Sequence, residues 1–229
     1  MSTAVPAPHP APAAPVTDAG VAPATAGRPA ASGLPAPAVL AVAVGAGLAV
    51  GALTSVGQTL LGGTAFAGLA NAVSPWLVAS FLVGALARRG WVAALAGLLA
   101  CAGEVAGYYL VADLRGFAVS ASSVAVWVVA GVLGGPVFGW AGRLWRTATG
   151  TWRGLGPALL VGCWLAEAVV TYAVVLRYGD DAAVFAVVAA LLVVLLGRVG
   201  GQTVALLRWL PAATVVGAAG FAAVHLALG

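Results

Sequence analysis

The sequence predicts an all-α membrane protein, a polytopic bundle of six or seven transmembrane helices with an internal helical-hairpin repeat. Composition is the first observation behind this fold class, because 62% of the 229 residues are hydrophobic and only 7% are charged. Soluble domains carry about 25% charged residues, so this chain is too apolar to remain in solution. The second observation is that the apolar residues form long stretches, near the roughly 20 residues that a helix needs to cross a bilayer.

The first 35 residues differ in composition from the rest of the chain. Alanine and proline alternate there, and large apolar side chains are scarce. Such a segment buries too little surface to offset the entropy of ordering it, so residues 1–35 are predicted to be a disordered or polyproline-like cytoplasmic tail. No basic segment leads into an apolar core at the start, so we expect no cleaved secretory signal. Residues 36–229 form the predicted transmembrane domain.

Seven hydrophobic stretches of this domain are candidate spans. In chain order they cover residues 36–57, 72–87, 91–112, 119–141, 155–176, 182–197 and 211–228. The second, sixth and seventh are shorter than a bilayer requires, which leaves the count at six or seven. The stretch 58–71 is short and rich in glycine, so we expect an interfacial or re-entrant piece buried against protein.

The charged residues predict the orientation of the spans. All ten basic residues are arginines, and most lie in alternate loops: Arg88, Arg89, Arg143, Arg146, Arg153, Arg198 and Arg208. Together with Arg28, they place these loops and the N-terminus in the cytoplasm by the positive-inside rule, in what we expect to be a bacterial cytoplasmic membrane. Trp76 is expected at the opposite membrane boundary. The arginines are not clustered on a soluble surface, so no nucleic-acid partner is expected.

Two segments of similar sequence predict the internal repeat. One begins with Trp76-Leu-Val-Ala and the other with Trp127-Val-Val-Ala, and each leads through an arginine loop into a span with a cysteine, a glutamate and a tyrosine. These residues are Cys101, Glu104 and Tyr108 in the first copy, and Cys163, Glu167 and Tyr172 in the second. The pattern predicts helical hairpins in parallel orientation, with a third and weaker copy in the last two spans.

The two glutamates are the first candidates for function, because each lies in the middle of a hydrophobic span. A carboxyl at that depth costs roughly 2.5–3.5 kcal/mol on insertion scales, so it needs a partner or a task. Counting residues along the spans places Glu104 and Glu167 at nearly the same depth. If they meet in a shared cavity, the pair would titrate as a coupled unit and could bind a proton or a cation. Alternatively, each protonated glutamate could hydrogen-bond a neighbouring helix and stabilise packing.

The start of the second span offers a further candidate site. Ser74 before Pro75 can cap a helix, which is a purely structural interpretation. The functional interpretation is a positive helix end at which polar side chains face a solute. On the fourth span, small residues form a ridge that favours close packing against a helix of the same or another chain. The ridge consists of Gly131, Gly135 and Gly139.

No motif indicates an enzyme or a cofactor. Motifs of intramembrane proteases and nucleotide-binding loops are missing, so no catalytic residue is expected. Cys101 and Cys163 lie inside apolar spans without a Cys-x-x-Cys pattern or a nearby histidine, so we expect small buried side chains rather than a disulfide or a metal site. The lone His225, near the end of the last span, is expected to be a satisfied or snorkelling histidine.

Four motifs carry a resemblance to a known family. They occupy residues 51–58, 71–76, 87–89 and 103–109. Together they resemble an uncharacterised family of actinobacterial integral membrane proteins, over residues 40–200. The resemblance implies a membrane protein of no established activity, and it selects the site residues to watch: Thr54, Gln58, Asn71, Ser74, Glu104 and Tyr108.

Two functions from different classes remain open. The first is a small-solute or ion carrier, or its substrate-binding subunit, in which Glu104 and Glu167 couple a proton or cation and Asn71, Ser74 and Tyr108 line the path. The second is a membrane scaffold that does not transport, and that docks a membrane protein or another copy of itself through its glycine-rich helix faces. In both cases the lipid bilayer surrounds the protein.

Overall fold

The computed structural model describes residues 33–118 and 120–228, together with Met1 and Thr3. The predicted tail, residues 1–35, therefore lies almost entirely outside the described residues, as does Arg28. All described helices belong to one compact unit, Ala31–Gly229. Within the described ranges the fold is all-α and contains no strand, as predicted.

Seven α-helices occupy these ranges. Their bounds are α1 Ala36–Leu61, α2 Val73–Ala85, α3 Gly90–Leu114, α4 Ala121–Thr147, α5 Leu155–Ala166, α6 Gly179–Arg198 and α7 Thr203–Leu228. Helix α5 continues as a π-helix, Glu167–Leu176. Three short 3-10 helices, Ala67–Ala70, Gly150–Trp152 and Val199–Gly201, lie in the connections.

Six of the described helices are long and apolar enough to cross a bilayer, and α2 is not. The fold class of a polytopic bundle with six or seven spans is therefore confirmed, with α2 as the uncertain member. The last two spans are longer than their hydrophobic cores, because α6 begins before Asp180 and α7 continues through Pro211. Proline is tolerated inside transmembrane helices, where neighbouring helices can satisfy the freed backbone groups.

Helix α3 packs between α1 and α4 through glycines. A Cβ at Gly51 of α1 would overlap the backbone carbonyl of Glu104, and one at Gly97 of α3 would overlap that of Gly135. A Cβ at Gly139 would overlap the carbonyl of Ala93. These backbones can approach so closely only because no side chain separates them. The glycine ridge of α4 therefore packs against α3 of the same chain.

The contacts also give the helix directions. Helix α1 runs parallel to α3, since Gly47 lies against Ala100 and Gly51 against Glu104, and α5 runs parallel to α7. Helices α2 and α4 run the other way and lie between α3 and α5. All loops with the predicted cytoplasmic arginines therefore meet at one end of the bundle, which we call the arginine-rich end. Side-chain to backbone bonds such as Arg143 Nε to Arg88 O, 3.4 Å, and Arg208 to Thr151 O, 2.7 Å, connect these loops.

Helix α2 begins inside the bundle rather than at its surface. It ends level with the start of α1, where the Leu34 N–H donates to the Leu86 carbonyl at 2.9 Å. Its 13 residues span only about 20 Å, whereas the 26 residues of α1 span about 39 Å. The segment between them folds back along α1, and its 3-10 helix Ala67–Ala70 lies beside Gly57. The expected interfacial or re-entrant piece at residues 58–71 differs in two respects, because residues 58–61 belong to α1 and only Gly68 and Ala70 of this stretch are buried. The fold-back puts the α2 N-terminus near mid-depth.

Candidate intramembrane polar site

Glu167 binds the N-terminus of α2. Its Oε1 accepts a hydrogen bond from the Val73 N–H at 2.9 Å, and its Oε2 accepts one from the Ser74 N–H at 2.8 Å. The side chain is buried, and it lies where α5 changes into the π-helix. Such wide turns are frequent at functional sites. A carboxyl from one helix thus occupies the start of another.

The backbone explains why this partner is needed. The first N–H groups of a helix have no partner within the helix, and inside a bilayer no bulk water can replace one. The N-cap residue is Ala72, whose side chain cannot accept a hydrogen bond. Glu167 supplies the missing acceptors, and the positive end of the helix dipole favours a carboxylate there.

The predicted capping role of Ser74 is therefore wrong. The helix begins at Val73, one residue before the serine, so Ser74 lies inside the first turn. Its hydroxyl points to the Cys163 Sγ at 3.4 Å, one turn before Glu167 on α5. Ser74 thus contacts the same helix that caps its own backbone.

A second set of contacts holds the folded-back segment in place. Gly68 lies between two helices, since its N–H donates to Asp181 Oδ1 at 2.9 Å and its carbonyl accepts from the Tyr172 hydroxyl at 3.1 Å. A Cβ on Gly68 would meet both side chains. Tyr172 and Asp181 were not among the predicted site residues. The sequence signal for Tyr172 was its place in the repeat, one turn beyond Glu167.

Glu104 has a different environment. Its side chain is 0% exposed, and within the residues that the structure describes neither carboxyl oxygen has a hydrogen-bond partner. The Cys101 thiol, one turn earlier on the same helix, is the polar group that interacts with this carboxyl, and its sulfur lies 3.1 Å from the Ser80 hydroxyl. Ser80 also donates to the Gly97 carbonyl at 3.0 Å. Ser80 was not predicted, although a hydroxyl inside an apolar span is itself a sign that a partner is near.

The two glutamates lie at similar depths but contact different groups. Glu104 is 14 residues after Gly90, about 21 Å along α3, and Glu167 is 12 residues after Leu155, about 18 Å along α5. Helices α2 and α4 lie between α3 and α5. Among the described contacts, no hydrogen bond joins the two carboxyls. A shared site for both carboxyls stays a prediction from the sequence.

Three other predicted residues form a cluster beyond Glu104, toward the end opposite the arginine-rich end. The Tyr108 hydroxyl donates to Gln58 Oε1 at 2.6 Å, and Gln58 Nε2 donates to Asn71 Oδ1. Tyr108 follows Glu104 by one turn, so about 6 Å of helix separates them. Thr54 is not part of the cluster, because its hydroxyl bonds to the Val50 carbonyl of its own helix at 2.8 Å.

The cluster lines two cavities. A cavity of about 340 Å³ opens beside the ends of α1 and α3, and its wall contains Gln58 and Tyr108. Its other lining residues are Ser55, Thr59, Tyr109, Ala112, Phe117 and Ala118. A smaller cavity of about 50 Å³ contains the same two side chains together with Asn71, Trp76 and Trp127. Neither glutamate lines these two cavities.

The predicted boundary position of Trp76 is wrong. Trp76 is only 7% exposed, because α2 starts inside the bundle, and its ring lies 5.0 Å from that of Trp127 and 6.1 Å from that of Tyr108. Trp76 and Trp127 are the matching first residues of the two predicted repeat copies. Contact between equivalent residues is expected when two parallel copies face a common axis.

Sequence comparison assigns the chain to a family. A family model matches residues 30–229, which is nearly the whole chain. The chain belongs to DUF6518, a family of unknown function. No curated protein and no solved structure matches it. The expected membership in an uncharacterised family is confirmed, and it covers more of the chain than the four motifs implied.

The arrangement in this DUF6518 chain has two chemically distinct parts. The Glu167 carboxyl is fully engaged by backbone donors, which is a structural role. The Glu104 carboxyl is buried without such partners, one turn from a hydrogen-bonded cluster that reaches a cavity. The glycine ridge of α4, which the scaffold hypothesis needs for docking, is occupied by α3.

Proposed function

We propose that this protein is a membrane carrier for a proton or small cation, alone or with a small solute, and that Glu104 is its coupling group. The observation that carries the proposal is the Glu104 carboxyl, buried near mid-depth with no hydrogen-bond partner in the described part of the chain. A carboxyl that only stabilised packing would bond to a neighbouring helix, as Glu167 does. A coupling carboxyl must instead keep its oxygens free for a proton or cation.

In this proposal the ligand approaches the carboxyl by way of the polar cluster, which lies one helical turn beyond Glu104. The 340 Å³ cavity opens at the end opposite the arginine-rich end, and Tyr108 lies in its wall. Arg115 bonds to the Ser55 carbonyl and to the Thr59 hydroxyl in the same wall. A ligand on this path passes the hydrogen-bonded hydroxyl and amide groups of Tyr108 and Gln58. With the arginine-rich end in the cytoplasm, as the positive-inside rule favours, access is from outside the cell.

In this proposal Glu167 holds the half-length helix rather than coupling the ion. Transporters commonly use helices that end at mid-depth to form solute sites, and their free termini need stabilisation. Glu167 accepts hydrogen bonds from the first N–H groups of α2. This helix in turn places Trp76 beside Tyr108 and Ser80 beside Cys101. Asn71 and Ser74 were predicted to line the path. In this proposal Asn71 belongs to the polar cluster through its hydrogen bond with Gln58, and Ser74 contacts α5.

A thermal-shift screen of the purified protein tests the proposal. Sodium, potassium and a panel of small metabolites are added at several pH values between about 5 and 8, because a ligand that binds only the folded state raises the melting temperature. We expect at least one pH-dependent increase in the wild type, and its loss in Glu104→Gln. An equal increase in the variant would exclude Glu104 as the coupling group.

Glu167→Gln is the matched control, since it changes the same chemical group at a similar depth. We expect a lower melting temperature, because an amide presents one acceptor oxygen where the carboxylate presents two. The ligand-dependent increase should nevertheless persist. If Glu167→Gln abolished the increase and Glu104→Gln did not, the two roles would have to be exchanged.

A further inference from the structure

A separate cavity lies at the arginine-rich end, far from the polar site. Its volume is about 280 Å³, and it lies between the segment before α1 and the first turn of α3. The lining residues are Leu34, Pro35, Ala36, Arg88, Arg89, Trp91 and Val92. Two arginines, one tryptophan and several apolar residues therefore line one opening.

Backbone pairing gives this cavity defined walls. The Leu34 N–H donates to the Leu86 carbonyl at 2.9 Å, and Arg88 Nε donates to the Gly33 carbonyl at 2.6 Å. A Cβ on Gly33 would approach the Leu86 carbonyl oxygen to 2.8 Å, so the two segments pack closely only with glycine there. The cavity is thus part of the folded bundle.

Among the residues that the structure describes, no acidic side chain neutralises the positive charge at this cavity. Arg88 uses its Nε for Gly33, and no contact of its two terminal amino groups is found among the described residues. The same holds for the whole guanidinium of Arg89. The described acids lie elsewhere: Glu104 and Glu167 are near mid-depth, and Asp113, Asp180 and Asp181 are at the opposite end. The side chains of Arg88 and Arg89 are both exposed.

Two adjacent guanidinium groups suit a phosphate. Arginine offers several N–H donors in a planar fork that matches phosphate oxygens. Trp91, 59% exposed, lies beside them, as tryptophans do where lipid headgroups meet the hydrocarbon region. Leu34, Pro35 and Val92 add an apolar wall, which a soluble anion would not need and an acyl chain would contact.

We propose that this cavity binds the phosphate headgroup of an anionic phospholipid. The cavity is large enough for a headgroup, and the acyl chains would follow the apolar surface of the adjacent helices. Basic pockets between helices on the cytoplasmic side are known to hold anionic headgroups. The proposal is independent of the carrier function, because the cavity shares no residue with the polar cluster.

Lipid titration followed by native mass spectrometry tests the proposal. Purified protein in neutral detergent is titrated with dioleoyl phosphatidylglycerol and, in parallel, with dioleoyl phosphatidylcholine. We expect tighter binding of phosphatidylglycerol to the wild type, and a roughly thirtyfold loss of this affinity in Arg88→Gln/Arg89→Gln, because each arginine near a headgroup contributes on the order of 1 kcal/mol. Binding of phosphatidylcholine should be unchanged.

The matched control is Arg146→Gln/Arg198→Gln. These arginines are exposed at the same end but do not line the cavity, so this variant removes equal charge. It should bind phosphatidylglycerol with the affinity of the wild type. An equal loss of this affinity in both double variants would overturn the proposed site. Arg89→Gln alone, which breaks none of the described hydrogen bonds, should lose affinity about fivefold, and it covers the case in which the double variant misfolds. Displacement of phosphatidylglycerol by millimolar inorganic phosphate would overturn the lipid assignment in favour of a soluble anion.

Discussion

Glu104 and Glu167 occupy matching positions in two similar sequence segments, yet the fold treats them differently. Both follow a cysteine on a transmembrane helix, both lie near mid-depth, and both are buried. Glu167 accepts two backbone hydrogen bonds from α2, whereas Glu104 accepts none from the described residues. A shared motif therefore does not imply a shared role when the neighbours differ.

The difference arises from the place where α2 begins. Because this helix starts inside the bundle, its first N–H groups need an acceptor at mid-depth, and α5 supplies Glu167. At the level of Glu104, α3 meets the middle of α1, whose N–H groups are already bonded within the helix. One carboxyl thus meets a free helix end, and the other meets continuous helices.

The largest expected effect concerns the packing of α4 against α3, the helix that carries Glu104. Gly139→Leu should prevent the close approach of α4 to α3 and abolish recovery of folded protein, because a Cβ there overlaps the Ala93 carbonyl. Gly45→Leu on α1 is the control, since a Cβ at Gly45 meets nothing within 4 Å. Gel-filtration recovery in detergent measures the outcome. Normal recovery of Gly139→Leu would mean that α3 and α4 do not pack as described.

Removing the engaged carboxyl should have the next largest effect. Glu167→Ala leaves the Val73 and Ser74 N–H groups without partners, and each unsatisfied buried group costs roughly 1–3 kcal/mol. We expect a loss of roughly 2–6 kcal/mol in the free energy of unfolding, measured by denaturation in mixed micelles. A loss below about 1 kcal/mol would show that water or another side chain caps α2 in solution.

Removing the free carboxyl should have a smaller effect of the opposite sign. Glu104→Met keeps the length of the side chain and removes a buried polar group that has no partner, so we expect the protein to gain roughly 1–2 kcal/mol of stability. The same denaturation assay applies. A clear loss of stability would indicate that Glu104 has a structural partner after all and would remove the contrast with Glu167.

The smallest expected effects concern the two serines of α2 that face the repeat cysteines. Ser80 donates to the Gly97 carbonyl at 3.0 Å, so Ser80→Ala should cost about 1 kcal/mol. The Ser74 hydroxyl lies 3.4 Å from the Cys163 sulfur and also interacts with the Glu167 carboxyl, so Ser74→Ala should cost at least as much as Ser80→Ala. Parallel denaturation curves of the two variants decide the order.

Much of the site could be predicted from the sequence, but its pairings could not. The depth of each glutamate follows from counting residues along its span. The association of Gln58, Asn71 and Tyr108 was anticipated only as a set of polar residues to watch. The contact between Glu167 and α2 joins positions more than 90 residues apart, and nothing local to either position indicates it.

The sequence by itself determined that the chain is a polytopic helical membrane protein. Hydrophobicity and charge are local properties of each stretch, and they decide directly whether that stretch enters the hydrocarbon region of a bilayer. The sequence also determined which side chains are polar at mid-depth. The tertiary structure alone decided where α2 begins, that Trp76 is buried and which glutamate receives hydrogen bonds. These outcomes depend on how helices from distant parts of the chain pack, and close packing selects partners by shape rather than by sequence position.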